Sequence, residues 1–251
     1  EPQLPENQEV FLHLHARILN SWGLLDAGHE LARFQFPLPS GAAGTAAPEE
    51  QAPGDLRLQQ RSGELLFSGK DFSFRFDKAS GTLLEWTKGE RVVLKDGPSP
   101  AFWRAPNDND YGYNMLQELG VWRYAQDSLE LEALVVHSPK SGAAGLDLTY
   151  LLPNELGQTV LSYRIGADGS LAISHHYQPG RDRLPPLPRL GLQWVLPGDM
   201  DKIRWYGRGP WENYPDRKHS AFVDVYEASA GELLENYPAP QENGYRSDIR
   251  W

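Results

Sequence analysis

Phe72-Ser73-Phe74-Arg75-Phe76-Asp77, then Lys78-Ala79-Ser80-Gly81, then Thr82-Leu83-Leu84-Glu85-Trp86-Thr87: this run decides the fold class. Phe at every second position places three rings on one face of an extended chain, with Ser73, Arg75 and Asp77 on the other. That is the period-two signature of a strand with one side in a core. Lys78 to Gly81 carries turn chemistry and reverses the chain into a second strand over 82–87, and Lys88-Gly89-Glu90 reverses it again into 91–95. Strand signals recur over 129–137, 146–152, 159–165, 171–177, 189–196, 203–207 and 221–226. Short strands separated by turns predict an all-β chain, a large antiparallel sandwich or barrel. The spacing of Leu116, Leu119 and Trp122 predicts one helix, over 114–125.

Upstream, Val10, Leu12, Leu14, Ala16 and Ile18 alternate with Phe11, His13, His15 and Arg17, and Ala32, Phe34 and Phe36 alternate with Arg33 and Gln35. Two strands do not make an independent domain. The stretch 40–54, rich in Ala, Gly and Pro, has nothing to bury and reads as a linker. The expected division is therefore 1–39, the linker 40–54, and a sandwich domain over 55–251. The chain opens on Glu1 and closes on Trp251 inside a segment, 246–251, that reads as a strand, so both ends look cut from something longer.

Over 251 residues, 24 Lys and Arg face 34 Asp and Glu, a net charge of -10 with no basic run. Nucleic acid and anionic lipid are poor partners for such a surface, because no cluster of cations is present to release counterions. Zero cysteines remove disulfides, thiolate metal sites and thiol nucleophiles at once. No window approaches the roughly 18 apolar residues of a membrane span, so the chain reads as soluble, with bacterial cytoplasm and periplasm both open. Phosphate-loop, nucleophile-elbow and dinucleotide patterns do not occur.

Two polar clusters stand out. Arg104-Ala105-Pro106-Asn107-Asp108-Asn109-Asp110-Tyr111-Gly112 follows Phe102 and Trp103, and its four consecutive Asx residues predict a structured loop folded onto its own backbone. Asn107, Asn109, Gly112 and Glu118 fit part of a calcium-loop spacing, but the first ligand position is Asn and no helix precedes it, so no metal site is expected. The second cluster runs from Trp205 to Arg217 and includes Gly207-Arg208-Gly209-Pro210-Trp211-Glu212-Asn213-Tyr214-Pro215-Asp216-Arg217. Aromatic faces beside planar polar groups suit a sugar, with Trp103, Trp205 and Trp211 as stacking candidates. The alternative is that the rings fill a core while Arg pairs with carboxylates. Glu212 with Asp216, or Glu242, is not excluded by spacing as a glycosidase pair, whereas Asp108 and Asp110 sit in too polar a run to be differentiated. His13 and His15 share a strand face but lack a third ligand, and His175 and His176 point to opposite faces.

In order, these motifs resemble the C-terminal part of the large bacterial β-galactosidases of glycoside hydrolase family 2. The resembling segments are Asp77-Lys78-Ala79-Ser80-Gly81-Thr82-Leu83, the run from Phe102 to Gly112, Gly207 to Arg217, and Pro240-Gln241-Glu242-Asn243-Gly244. Asp26-Ala27-Gly28-His29-Glu30-Leu31-Ala32 and the Phe34 to Phe36 strand resemble the end of that family's preceding immunoglobulin-like domain. The resemblance implies a galactose-mutarotase-like supersandwich preceded by two strands of an immunoglobulin-like domain. It implies hydrolysis of terminal β-D-galactose, lactose included, by an intact enzyme whose catalytic glutamates and Mg²⁺ ligands lie in an upstream barrel. No residue here inherits those roles, and the family's Mg and Na ions are expected mostly at sites outside this chain. The implied partners are the remaining domains of the parent, its galactoside substrate, and further copies if the parent is a homo-oligomer. The implied role for Arg104, Asn107, Asp108, Asn109, Asp110, Glu212, Asn213, Asp216, Arg217, Glu242 and Asn243 is to order loops beside the barrel. Two rivals remain: an autonomous carbohydrate-binding module, and a mutarotase-like isomerase using His176 and Glu212 as acid and base.

Overall fold

The computed structural model describes residues 8–39 and 54–251. Apart from Gly54, the linker expected at 40–54 lies outside the described residues. Among those described, the chain is all-β, with fifteen strands, antiparallel pairing throughout, and two short α-helices. By contacts it divides into two units. One joins residues 8–39, which form the hairpin β1 (Val10–Arg17) and β2 (Glu30–Leu38), with Lys202–Glu235 and Gly244–Trp251. The other comprises residues 54–201 and Asn236–Asn243.

The second unit is a sandwich. Its first sheet is the meander β3 (Arg57–Arg61), β4 (Glu64–Ser68), β5 (Phe72–Asp77), β6 (Leu83–Lys88) and β7 (Arg91–Leu94), paired in that order. After β8 (Asp96–Ala101) and the helical segment come β9 (Glu130–Lys140), β10 (Ala143–Leu152), β11 (Gly157–Gly166) and β12 (Leu171–Pro179), paired β12-β11-β10-β9. β13 (Gly191–Val195) pairs with β8. The Phe72, Phe74 and Phe76 row is buried as the alternation predicts, together with Leu65, Phe67, Leu146, Leu148, Leu161 and Tyr163. Phe76 meets Tyr163 of the facing sheet edge-on, ring centroids 5.1 Å apart, so the two sheets interdigitate into one core. The turn after β5 is built by Asp77, whose Oδ2 accepts from Ser80 N at 2.7 Å and Ser80 Oγ at 2.6 Å. Gly81 follows at φ +73, where a Cβ would lie 2.4 Å from the Tyr150 hydroxyl, so a side chain is excluded by both conformation and space.

Three expectations need correction. The predicted helix over 114–125 is broken into α2 (Met115–Glu118) and a 3-10 turn, Gly120–Trp122, with α1 (Asp108–Gly112) ahead of it and a second 3-10 turn, Ala125–Ser128, starting at its end. Asn114 at φ 58 and Leu119 at φ -111 interrupt the helical path, yet Met115, Leu119, Trp122 and Ala125 still bury one face against Phe102 and Leu156, while Leu116 is exposed. Strands β3, β4 and β8 were not expected; Asp96-Gly97-Pro98-Ser99-Pro100 hides β8 because prolines argue against a strand, although they are tolerated in two-stranded pairing. Segment 246–251 is not a regular strand. It runs antiparallel to β14 (Lys202–Gly209), with Arg208 N donating to Ser247 O and Tyr206 N to Trp251 O, but Asp248 at φ 52 breaks the extended path.

In the first unit β14 pairs with β15 (Phe222–Ser229). The Gln35 side chain of β2 imitates a strand partner: its Nε2 donates to Val223 O and its Oε1 accepts from Val223 N, both at 2.8 Å. Arg33 lies over the Phe222 ring, and Glu9 receives Arg250 Nε at 2.8 Å and Nη2 at 2.6 Å. The opposite face of the hairpin is an apolar stripe, Leu12 and Leu14 opposite Phe36 and Phe34, each close to half-exposed.

Candidate functional site: two arginine-locked acidic loops

In the larger unit the Asx-rich loop closes on itself. Asn107 caps α1, its Oδ1 accepting from Asp110 N at 3.2 Å, while Asp110 Oδ2 accepts from Asn107 N at 2.8 Å, a reciprocal capping box. Arg104 grips the same carboxylate with both terminal nitrogens, at 2.5 and 2.9 Å, and Tyr113 donates its hydroxyl to Oδ1 at 3.2 Å. The Arg104 hydrogen bonds outweigh burial and hold the Asp110 carboxyl below its ordinary range; burial, then Asp110, pushes the Tyr113 phenol up. Glu242 joins from the far end of the sequence: Arg189 hydrogen-bonds its Oε1, Arg104 Nε lies 3.7 Å from Oε2, and its N–H donates to Pro106 O at 3.1 Å. Gln241 Oε1 accepts from Asp108 N at 3.3 Å. Asp108 and Asn109 themselves are exposed on the first turn of α1, and Trp103 is half-buried beside the cluster.

The Gly207 to Arg217 motif lies in the other unit and locks in the same style. Glu212, 3% exposed, accepts from Arg217 Nη2 at 2.5 Å through Oε1 and from Gly244 N at 2.8 Å through Oε2. Asn213, fully buried, accepts from Ser247 N at 3.0 Å and Ser247 Oγ at 2.5 Å, and donates to Trp211 O and Tyr245 O. Arg217 also covers the Tyr214 ring, which stacks on Tyr245 at 5.0 Å. Arg208 pairs with Asp248 at 2.6 Å and donates to the carbonyls of Lys218 and Ala221. Asp216 is exposed, and Asn243 is half-buried at the end of the larger unit.

Of the aromatic candidates, Trp205 is buried against Tyr226 and donates its indole N–H to Arg208 O, whereas Trp211 keeps an exposed face beside Arg33. Sequence reading missed Arg189, Tyr113, Ser247 and Asp248. Arg189 sits in the Pro-rich run Leu184-Pro185-Pro186-Leu187-Pro188-Arg189, where no local pattern ties it to a carboxylate 53 positions away. Among the described residues no group of three or more His, Asp or Glu is arranged to hold a metal ion, and the buried acids Asp110, Glu212 and Glu242 are bound to arginines. No helix among them is long and apolar enough to cross a membrane.

Fold and loops together define a β-sandwich chain whose polar motifs are built around arginine–carboxylate pairs. The family model described as the beta galactosidase small chain matches residues 68–251, and the chain belongs to that family. It is similar to the beta-galactosidases of Priestia megaterium (31% identical, over 98% of this chain and 23% of the relative), Halalkalibacterium halodurans (29%, over 100% and 25%) and Vibrio cholerae (32%, over 99% and 25%). The chain thus spans about a quarter of the length of these relatives.

Proposed function

We propose that this chain is a non-catalytic β module of a β-galactosidase, supporting an active site whose bond-breaking acids lie outside it. The observation that carries the reading is the state of its buried carboxylates. Asp110, Glu212 and Glu242 are each engaged by an arginine, and Asp110 is held ionised, the reverse of the raised pKa a general acid needs. The apolar stripe of β1 and β2 supplies the docking chemistry: a two-stranded ribbon with Leu12, Leu14, Phe34 and Phe36 on one face is marginal unless further β structure covers it. The occupant proposed is the rest of the parent polypeptide, completing an immunoglobulin-like domain.

A chromogenic galactoside tests both parts. The purified chain alone is expected to show no turnover. Mixed with a chain carrying the remaining three-quarters of a homologous enzyme it is expected to restore turnover, and Phe34→Ser with Phe36→Ser is expected to prevent that restoration. Turnover by the chain alone, abolished by Glu212→Gln or Glu242→Gln, refutes the reading. The exposed face of Trp211 beside Arg33 favours a second reading, a sugar-stacking platform. Saturable galactose binding by the isolated chain that disappears in Trp211→Ala would establish it.

A further inference from the structure

Asn243-Gly244 is the one Asn-Gly pair in the sequence. Asn is among the thermolabile residues, and a following Gly, lacking a Cβ, leaves its amide nitrogen sterically open to the Asn side-chain carbonyl. In the folded chain that nitrogen is not idle. Gly244, at φ +79, donates its N–H to Glu212 Oε2 at 2.8 Å, and Glu212 is itself 3% exposed and held by Arg217.

We infer that Asn243 is a latent deamidation site kept shut by the Glu212 carboxylate. The reaction requires Gly244 N to lose its proton and swing onto Asn243 Cγ. A buried anion accepting that proton in a charge-assisted bond opposes both, because the N–H is the favoured state beside a negative charge and the nitrogen is tethered. Once the bond opens, solvent base removes the amide proton, the Gly244 N–Cγ bond forms, the Cγ–Nδ2 bond breaks, and the side-chain nitrogen leaves as ammonia. Water then opens the five-membered imide to aspartate or isoaspartate. The balance is Asn plus water giving Asp or isoaspartate plus ammonia, with no oxidant or reductant.

The product would be costly at this place in the chain. Directly after Gly244, Tyr245 O accepts from Asn213 N. Isoaspartate adds a methylene to the main chain ahead of this bond, and either product adds a carboxylate next to Gly244, whose N–H already serves an anion. By holding the Gly244 N–H, Glu212 therefore guards the covalent integrity of the Asn243-Gly244 pair.

The test follows the one-dalton gain on the peptide containing Asn243, in mildly alkaline buffer, with isoaspartate counted by methyltransferase labelling. Native chain is expected to convert at least about tenfold more slowly than the urea-unfolded chain, as protection by a closed hydrogen bond requires. Glu212→Ala, shown folded by near-UV circular dichroism, is expected to approach the unfolded rate, Glu212→Gln to fall between, and Asn243→Gln to lose the signal. Hydrogen exchange of the Gly244 amide in the native chain decides the matter even if Glu212→Ala does not fold, with slow exchange expected. Native conversion as fast as unfolded, an unprotected Gly244 amide, or wild-type kinetics in folded Glu212→Ala overturns the inference.

Discussion

Replacing Asp110 by Asn keeps the shape of the side chain and removes its charge. In the folded chain that carboxylate, 4% exposed, serves two Arg104 nitrogens, the Asn107 amide and the Tyr113 hydroxyl. The amide keeps one acceptor oxygen but turns a donor toward the guanidinium. Removing one partner of such a buried pair costs about 3 to 5 kcal/mol, and the lower figure applies because Arg104 retains some solvent and a second carboxylate, Glu242, at 3.7 Å. For a unit of this size a loss of about 3 kcal/mol lowers the melting temperature by roughly 6 to 12 °C. The assay is thermal melting by circular dichroism of both proteins at a series of pH values. The pKa of Asp110 is depressed in the fold, so its contribution is present in full above the unfolded value near 3.9 and is lost as pH falls through the folded one. The gap between the proteins should therefore be widest at neutral pH and close in strong acid. Equal melting temperatures at neutral pH, or a gap of undiminished size in strong acid, would show that the Arg104 pair does not hold this loop.

Phe76→Ala, in the middle of the sandwich core between Phe67 and Tyr163, should cost about 3 to 5 kcal/mol in urea unfolding, the highest value expected for any of these substitutions. Gln35→Ala strips Val223 of both its backbone partners and should cost about 2 kcal/mol, read as increased amide exchange at Val223. Burial raises the Asp147 carboxyl, but Arg164 and His137 more than reverse this and bring it to about 2. Asp147→Asn should therefore lose about 1 kcal/mol at neutral pH, a figure reduced for partial exposure, and the difference from wild type should vanish as pH falls toward about 2.

Much of the fold was legible in the residues because strand formation with one buried face leaves a local trace. The Phe72, Phe74 and Phe76 alternation, the Asp77 to Gly81 turn and the later strands all report burial with period two. The helix over 114–125 misled because apolar spacing does not record whether the backbone between the apolar residues stays regular; with Asn114 and Leu119 interrupting it, Leu119 and Trp122 are buried as expected, but Met115 takes the place of the exposed Leu116. Of the candidate site, the self-capping of Asn107 and Asp110 was visible as a dense Asx run, since capping acts over three residues. The partners of Glu242 and Glu212 were not.

The sequence by itself determined the all-β class, the positions of most strands, the two polar motifs and the likeness to the β-galactosidases, because periodicity, turn residues and motif order are written along the chain. Tertiary structure alone decided which arginine holds which acid and that residues 8–39 share a unit with Lys202–Glu235 and Gly244–Trp251. Glu9 and Arg250, 241 positions apart, make the reason plain. An ion pair leaves no periodic trace in either neighbourhood, so only the packing of the strands between them brings the two charges within bonding distance.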